Sequence, residues 1–386
     1  MTPVTDAERA EFKALVDAAN TSLRSSYKNK VIGKSGGKAP RFELYHSAPS
    51  LCSHKVRTTL AEKQAAYVSH DMIIMPMGKF IPQNYRPEYV RLRLRGAPGA
   101  TLVSGYNGES SVTNQGFDPC VVPTLVDHEA ARVIVDSNAI CRYLADSIDT
   151  GTDLIPSALE ADVAAQLDLV DQAPHVAALY GAHPDDDIRP PALRDGISGV
   201  HARKIRVLEV LIKNVGDDPQ LKAAYESKIA KEAAAGEFVV TPDEMRDVHR
   251  QMVVHVNDAE AQLSKSGGPW ILGDSYTLAD ITWTLSLWRM KWLGFGPAWE
   301  KGDQNQRVAA YLERAFQRPS FRSAVINWPG SHSPSPHVSE YSGASANRAF
   351  ALDMVRSVDW SKTLFGDPEF KLPPMPETAN AARSNS

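Results

Sequence analysis

Ser50-Leu51-Cys52-Ser53-His54-Lys55-Val56-Arg57 is the stretch on which the fold turns. It follows a short apolar run, Phe42-Glu43-Leu44-Tyr45, and leads into a helical one, Val56 to Lys63. A cysteine there stands at a strand-to-helix turn, where free backbone N–H groups and the positive end of the helix dipole favour an anion. Lys55 and Arg57 add positive charge close by. Such a setting lowers a thiol pKa and supplies a thiolate near neutral pH, which predicts a reactive Cys52. The plainer reading is a small buried hydrophobe, the commonest fate of a lone cysteine on an apolar segment.

Three later segments bear on that choice. In Val121-Val122-Pro123-Thr124-Leu125 a proline breaks an apolar β-branched run. It removes a ladder donor, so the segment is either an edge strand with a trans proline or a strand that begins after a cis one. The cis form would expose the Val122 backbone N–H and C=O to a bound peptide. In Val133-Ile134-Val135-Asp136-Ser137-Asn138 a strand ends at Val135 and a helix runs from about Asn138, with Asp136 and Ser137 in the N-cap region. Those two residues cap the helix or, by the same geometry, hold a ligand carboxylate. Thr277-Leu278-Ala279-Asp280 is similar to a capping box ahead of an apolar helix, Ile281 to Trp292, and alone is only structural.

Together and in this order, the Ser/Cys turn, Val122-Pro123, the Asp136-Ser137 pair and the Thr277-x-x-Asp280 box resemble the glutathione S-transferase superfamily. The resemblance covers roughly residues 41 to 330. It implies an α/β thioredoxin-like N-terminal domain followed by an all-α, all-helical C-terminal domain. Ser-x-Cys-Ser-x-Lys-x-Arg at the turn, Pro87-Glu88-Tyr89-Val90-Arg91-Leu92, Val122 to Glu129, Pro174-His175-Val176 and Tyr180-Gly181-Ala182 resemble the glutathione-dependent reductive dehalogenases of dichloro- and tetrachlorohydroquinones. These are relatives of the zeta-class isomerases.

That resemblance implies glutathione as co-substrate, a chlorinated aromatic as substrate, and a homodimer. It makes Cys52 and Ser50 the catalytic pair: Ser50 steadies the glutathione thiolate, and Cys52 carries a mixed disulfide with glutathione. Val122 and Pro123 hold the cysteinyl unit of glutathione, and Asp136 and Ser137 its γ-glutamyl end. Tyr180 and His183 would lie on the substrate side, against the plainer reading of a core tyrosine and a surface histidine. Other enzymes on the same scaffold remain as alternatives: β-aryl ether cleavage, glutathione-conjugate lyases, or a maleylacetoacetate-type isomerase.

Composition sets the remaining bounds. A chain of 386 residues suits two domains with ample core. A net charge of −4 invites neither nucleic acid nor an anionic membrane surface. Met1 to Ala10 has neither the basic start nor the apolar core of a signal peptide, and no apolar run approaches membrane-spanning length. Three cysteines, at 52, 120 and 141, form no disulfide framework, which fits a reducing compartment. A cytoplasmic protein is the expectation. Cys120 and Cys141 are assigned structural roles.

No metal is expected. The eleven histidines lack ligand spacing, and Asp185-Asp186-Asp187 is a solvated acidic loop. No glycine-rich phosphate loop is present.

The organisation predicted is an N-terminal extension over 1–40, a thioredoxin-like domain over 41–149, a helical substrate domain over 150–330 and a polar tail over 331–386. Within the extension, Asp6 to Leu23 is a helix and Lys28 to Lys38 a glycine- and lysine-rich linker. Strands are expected at Phe42–Tyr45, Val68–Ile73, Val121–Val126 and Arg132–Val135. An insertion at about 93–119, rich in Gly and Ser from Gly96 to Gly116, either covers the active site or is a disordered excursion. Thr241-Pro242-Asp243-Glu244 signals a helix start, and Met245, Val248, Met252, Val256, Ala259 and Leu263 form its buried stripe. Trp283, Trp288, Trp292 and Trp299 build the helical core, with one or two of them facing an aromatic substrate.

Overall fold

The structure, a computed structural model, describes residues 4–23, 30–75, 81–109, 115–191, 193–194, 199–332 and 335–341. The tail from 342 onward, including the Thr378 to Ser386 stretch, lies outside the described residues.

The chain opens with helix α1 (Asp6–Leu23), over the range its periodicity predicts. Phe12, Val16, Ala19 and Leu23 form one buried stripe, which seats α1 on Tyr45, Met72, Tyr89, Leu92, Val122 and Val126. Within Lys28 to Lys38, read as a linker, lies strand β1 (Lys30–Ile32). Strand β2 (Phe42–His46), helix α2 (Leu51–Glu62), strand β3 (Tyr67–Asp71) and helix α3 (Pro87–Gly96) follow. Strands β4 (Thr124–Asp127) and β5 (Arg132–Val135) and helix α4 (Ser137–Ser147) complete the α/β part.

The sheet order is β1-β3-β2-β4-β5. Strands β2 and β3 are parallel, joined through α2, and the other pairs are antiparallel. β1 closes an edge with Lys30 and an exposed Val31 at its outer rim, a short charged edge of the kind that discourages further pairing. The expected strand over Val121–Val126 starts only at Thr124. The Val122–Pro123 peptide is cis, and proline offers no N–H to a ladder.

The second half is helical: α5 (Glu160–Asp171), α6 (His175–Tyr180), α7 (Val200–Asn214), α8 (Pro219–Phe238), α9 (Pro242–Ser266), α10 (Leu278–Leu293) and α11 (Gln306–Phe316). Helix α10 is buried on every side, as an apolar helix without a polar face must be. Its start is the expected capping box. Asp280 accepts from Thr277 N at 2.8 Å and also from Ile271 N at 2.8 Å, so one carboxylate fixes both the cap and the incoming loop. All four tryptophans named above are buried. No helix among the described residues is long and apolar enough to cross a membrane.

Two expectations are corrected here. The stripe on α9 is buried at all six positions, but Thr241 does not cap it. Its hydroxyl donates back to Glu237 O at 2.9 Å. Thr241→Ala is therefore expected to change the unfolding free energy by no more than about 0.5 kcal/mol, measured by urea unfolding.

The disordered reading of the insertion also fails for its described residues. Phe117 bridges to Leu102, Asp118 takes Lys228 at 2.8 Å and Lys231 at 3.1 Å from α8, and the Tyr106 ring meets Phe238 edge-on at 5.3 Å. Tyr225 of α8 donates to Tyr85 O at 2.6 Å, so the α7–α8 hairpin reaches back to the α/β half.

The last described segment closes the seam between the halves. A π-helical turn (Arg322–Ile326) presents Ala324 O to Arg57 of α2 at 2.9 Å. Trp328 donates to Asp71 at 2.9 Å while its ring covers the Arg57 guanidinium at 4.4 Å. Ser331 meets His54 at 3.2 Å.

Candidate functional site

Strand register brings three of the sequence-predicted pairs to one end of the sheet. Tyr45 is paired with Thr124, and Thr124 with Val135. The end of β2, the start of β4 and the end of β5 therefore share an edge. From that edge leave the Ser50–Cys52 turn, the Val122–Pro123 step and the Asp136–Ser137 corner.

Each corner has a local cause. Ser50 is the N-cap of α2, extended at φ −74° and ψ 124°, and accepts from Ser53 N at 3.3 Å. Cys52 is then in the first helical turn, half-buried and free. Among the described residues no backbone group pairs with Val122 N–H or C=O. Arg93 holds the step from behind, donating to Pro123 O, to Thr124 Oγ1 at 2.9 Å and to Asp118 O at 3.1 Å. Asp136 stands at φ 72°, a conformation that costs a non-glycine residue on the order of 1–3 kcal/mol. Its carboxylate accepts from Ala139 N at 2.9 Å, so Asp136 alone is the cap. Helix α4 starts at Ser137, one residue earlier than expected. The buried Ser137 hydroxyl makes no hydrogen bond among the described residues, which leaves it available to a ligand.

Lys55 ties this edge to the helical half. Its ammonium is buried, 3.3 Å from Asn138 Oδ1 and 3.6 Å from Asp171 of α5. Burial works against that charge, but Asp171, followed by Cys52, Cys141 and Asp136, outweighs it and raises the Lys55 pKa. Asp136 is pushed up by burial, with Asp171 adding to the push against its backbone hydrogen bonds. The corner thus holds both signs of charge, which suits a zwitterionic ligand head.

Arg57, expected to bear on the thiol with Lys55, is placed otherwise. Its donors go to Ala324 O, His46 Nδ1, Ser47 O and Ala48 O beneath Trp328. The arginine that holds the entry of the turn comes from α10. Arg289 is buried, donates to Pro49 O at 2.6 Å at the entry of the turn, and stacks on Trp292 at 5.2 Å. Sequence reasoning missed it, although a charge inside the Ile281–Trp292 apolar run was a visible signal.

Tyr180 ends α6. Its hydroxyl is 3.4 Å from Lys204, whose ammonium also lies over the ring at 4.7 Å. Burial lowers the Arg289 pKa to about 10, with Cys52 and Tyr180 opposing that shift. His183 keeps to the acidic loop, with Asp185 N–H on its Nδ1 at 3.3 Å and its ring against His249 at 5.0 Å.

Cys120 and Cys141 are fully buried, and burial pushes both thiols up, Cys141 to about 12. Only Cys52 combines a helix start with access to solvent. Among the described residues no group of three or more His, Cys, Asp or Glu can hold a metal ion.

Residues 49–147 match the family model "Glutathione S-transferase, N-terminal domain". Over 301 residues the chain is 47% identical to a 2,5-dichlorohydroquinone reductive dechlorinase of Sphingobium indicum, an alignment covering 78% of this chain and 86% of that one. It is 26% identical over 300 residues to a tetrachloro-p-hydroquinone reductive dehalogenase of Sphingobium chlorophenolicum, covering 75% of this chain and 99% of that one. A β-etherase structure from Sphingobium sp. strain SYK-6 aligns at 19% identity and a TM-score of 0.47, over 74% of this chain and 98% of that one.

Proposed function

Since this chain belongs to the glutathione S-transferase superfamily, we propose that it is a glutathione-dependent reductive dehalogenase of chlorinated hydroquinones. The observation that carries the reading is the Ser50–Cys52 pair at the start of α2, with a half-buried free thiol in a turn whose entry the buried Arg289 holds at Pro49 O. The similarity to dechlorinases over most of the chain supports it.

In this reading glutathione lies along the shared sheet edge. Val122 pairs with its cysteinyl backbone next to Pro123, and Asp136 and Ser137 take its γ-glutamyl end beside Lys55. Ser50 donates a hydrogen bond to the glutathione thiolate, favouring the charged form. That sulfur forms a bond to the ring carbon as the carbon–chlorine bond breaks, and chloride leaves. Cys52 thiolate then attacks the sulfur of the conjugate. A sulfur–sulfur bond forms, the ring carbon keeps the electron pair of the broken carbon–sulfur bond, and it takes a proton. A second glutathione exchanges at the Cys52 mixed disulfide and releases oxidised glutathione. Two thiols are oxidised for each chlorine replaced by hydrogen, so the electrons balance.

Tyr180 belongs to the ring pocket. His183, held in the acidic loop, belongs at its rim as a proton carrier. Pairing of two copies and a cytoplasmic location complete the reading; light scattering behind a sizing column tests the first.

Chloride release from 2,5-dichlorohydroquinone with glutathione, run beside a maleylacetone isomerisation assay, tests the function. Isomerisation without chloride release would replace it. Ser137→Ala separates ligand binding from helix capping, because Asp136 carries the cap. A charge-assisted hydrogen bond is worth about 1.5–3 kcal/mol, so the glutathione KM is expected to rise about tenfold or more. The melting temperature should stay unchanged. An unchanged KM would remove Ser137 from the glutathione site.

A further inference from the structure

We propose that Arg289 is the anion-binding residue of the ring pocket, taking the ionised oxygen of a phenolate-bearing substrate held beside Cys52 and so selecting ionised rings over alkylated ones. The inference rests on the proposed function for the identity of the ring, but its own ground is the setting of one guanidinium.

Three other deeply placed arginines are each held by several acceptors. Arg57 uses four acceptors, Arg93 has Pro123 O, Thr124 and Asp118 O, and Arg189 has Asp187 with the Leu179 and Tyr180 carbonyls. Arg289 is as buried as these, yet among the described residues its one hydrogen-bond acceptor is Pro49 O. Among the same residues no carboxylate lies within ion-pair reach of it. A guanidinium presents five N–H donors in a planar fork, so most of its hydrogen-bonding capacity remains for something else. None of its spare nitrogens is among the enclosed unpartnered atoms, so they are open to an anion, which a guanidinium binds by charge-assisted hydrogen bonds.

The electrostatic neighbours of Arg289 are Cys52 and His54 of α2, His175 and Tyr180 of α6, and His332 of the closing segment. Burial holds His54 and His175 well below the usual imidazole value and His332 near 4, so all three are uncharged at neutral pH. None of them opposes or supplies the anion. The ring stacked on the guanidinium, Trp292, offers an aromatic wall beside it. The spot therefore combines fixed positive charge, planar apolar surface and adjacency to a reactive sulfur. Chlorine substituents acidify ring hydroxyls, so a chlorinated hydroquinone presents the matching negative oxygen near neutral pH.

The test uses 2,4,6-trichlorophenol, largely ionised at neutral pH, and its methyl ether, which cannot ionise. Both are titrated into the full-length protein with S-methylglutathione present so that no displacement begins, and binding is followed by tryptophan fluorescence. The wild type is expected to bind the phenol at least about tenfold more tightly than the ether, a charge-assisted hydrogen bond being the difference. The preference should fade as pH falls through the phenol's own pKa. Arg289→Gln should abolish the preference while S-methylglutathione affinity is kept, and Arg289→Lys should retain part of it. Equal binding of phenol and ether by the wild type would overturn the proposal. So would a preference that survives in a folded Arg289→Gln protein, or a variant that loses S-methylglutathione affinity instead. If Arg289→Gln does not fold, Arg289→Lys decides: a reduced preference supports the role and an unchanged one ends it. Failure of the dechlorinase reading would instead appear as absent chloride release with the phenolate preference intact.

Discussion

Cys52→Ser is expected to turn the reaction's end product into a glutathionyl-hydroquinone. Only the second step draws on a protein thiolate, because glutathione supplies the nucleophile for the first. Chloride release should continue for about one equivalent per hydroquinone, while release of the dechlorinated ring falls by roughly a thousandfold or more, as loss of a covalent nucleophile does elsewhere. Mass spectrometry of the quenched mixture distinguishes the two products. Neither remaining thiol is a substitute, since both are buried and pushed toward the protonated form. Sustained formation of free dechlorinated hydroquinone by the serine variant would sink the covalent role.

The largest expected loss of stability follows from Glu62→Ala. Glu62 ends α2 with 5% of its side chain exposed, and it accepts from three residues in two distant segments. Arg318 donates to both oxygens at 2.9 and 2.8 Å, Thr152 donates at 2.6 Å, and Ser320 donates from the turn that leads to the closing segment. Removing the carboxylate leaves Arg318 uncompensated, a loss of about 3–5 kcal/mol that differential scanning calorimetry would register as several degrees.

The pH dependence has a definite sign. Burial raises the Glu62 pKa, but hydrogen bonds from Arg318, Ser320 and Thr152 outweigh it and hold the group below 4.5. A depressed carboxylate contributes fully above its unfolded pKa and loses that contribution as pH falls through the folded value. The gap between wild type and variant should therefore be full at neutral pH and close on acidification below 4.5. A gap constant down to acid pH would show that packing, not charge, makes Glu62 important.

What was legible in the sequence was what local chemistry decides. Helix α1 was found to the residue because Phe12, Val16, Ala19 and Leu23 already define a face. The capping box before α10, the turn at Ser50–Cys52 and the strand end at Val135 were equally visible, each set by side chains within three or four positions of one another. Strand β1 was not, because Lys30-Val31-Ile32 is too short to show a period, and a strand owes its stability to the neighbour it pairs with. The true partner of the turn was hidden for the same reason. Arg289 reaches Pro49 from 240 positions away, and Arg57 finds Ala324 at a separation of 267. Arg57 looked like a neighbour of the thiol because it is near in sequence, but it is consumed by contacts that only the tertiary fold supplies. Thr241 carried every sign of a cap and declined it, since Glu237 O in the preceding turn competes for the same hydroxyl.

The closing segment has a consequence for how this protein is made. A ribosome delivers the N-terminal sheet first, and domains delivered first ordinarily fold first. Here Arg57 and His54 of α2 wait for Ala324, Trp328 and Ser331, and the loop before Cys52 waits for Arg289. The reactive turn is thus assembled from segments more than 200 positions apart, and its final form waits for residues beyond 318. A nascent chain stalled before Pro319 holds Arg57 without its distant acceptor Ala324 O and without the Trp328 ring that covers it.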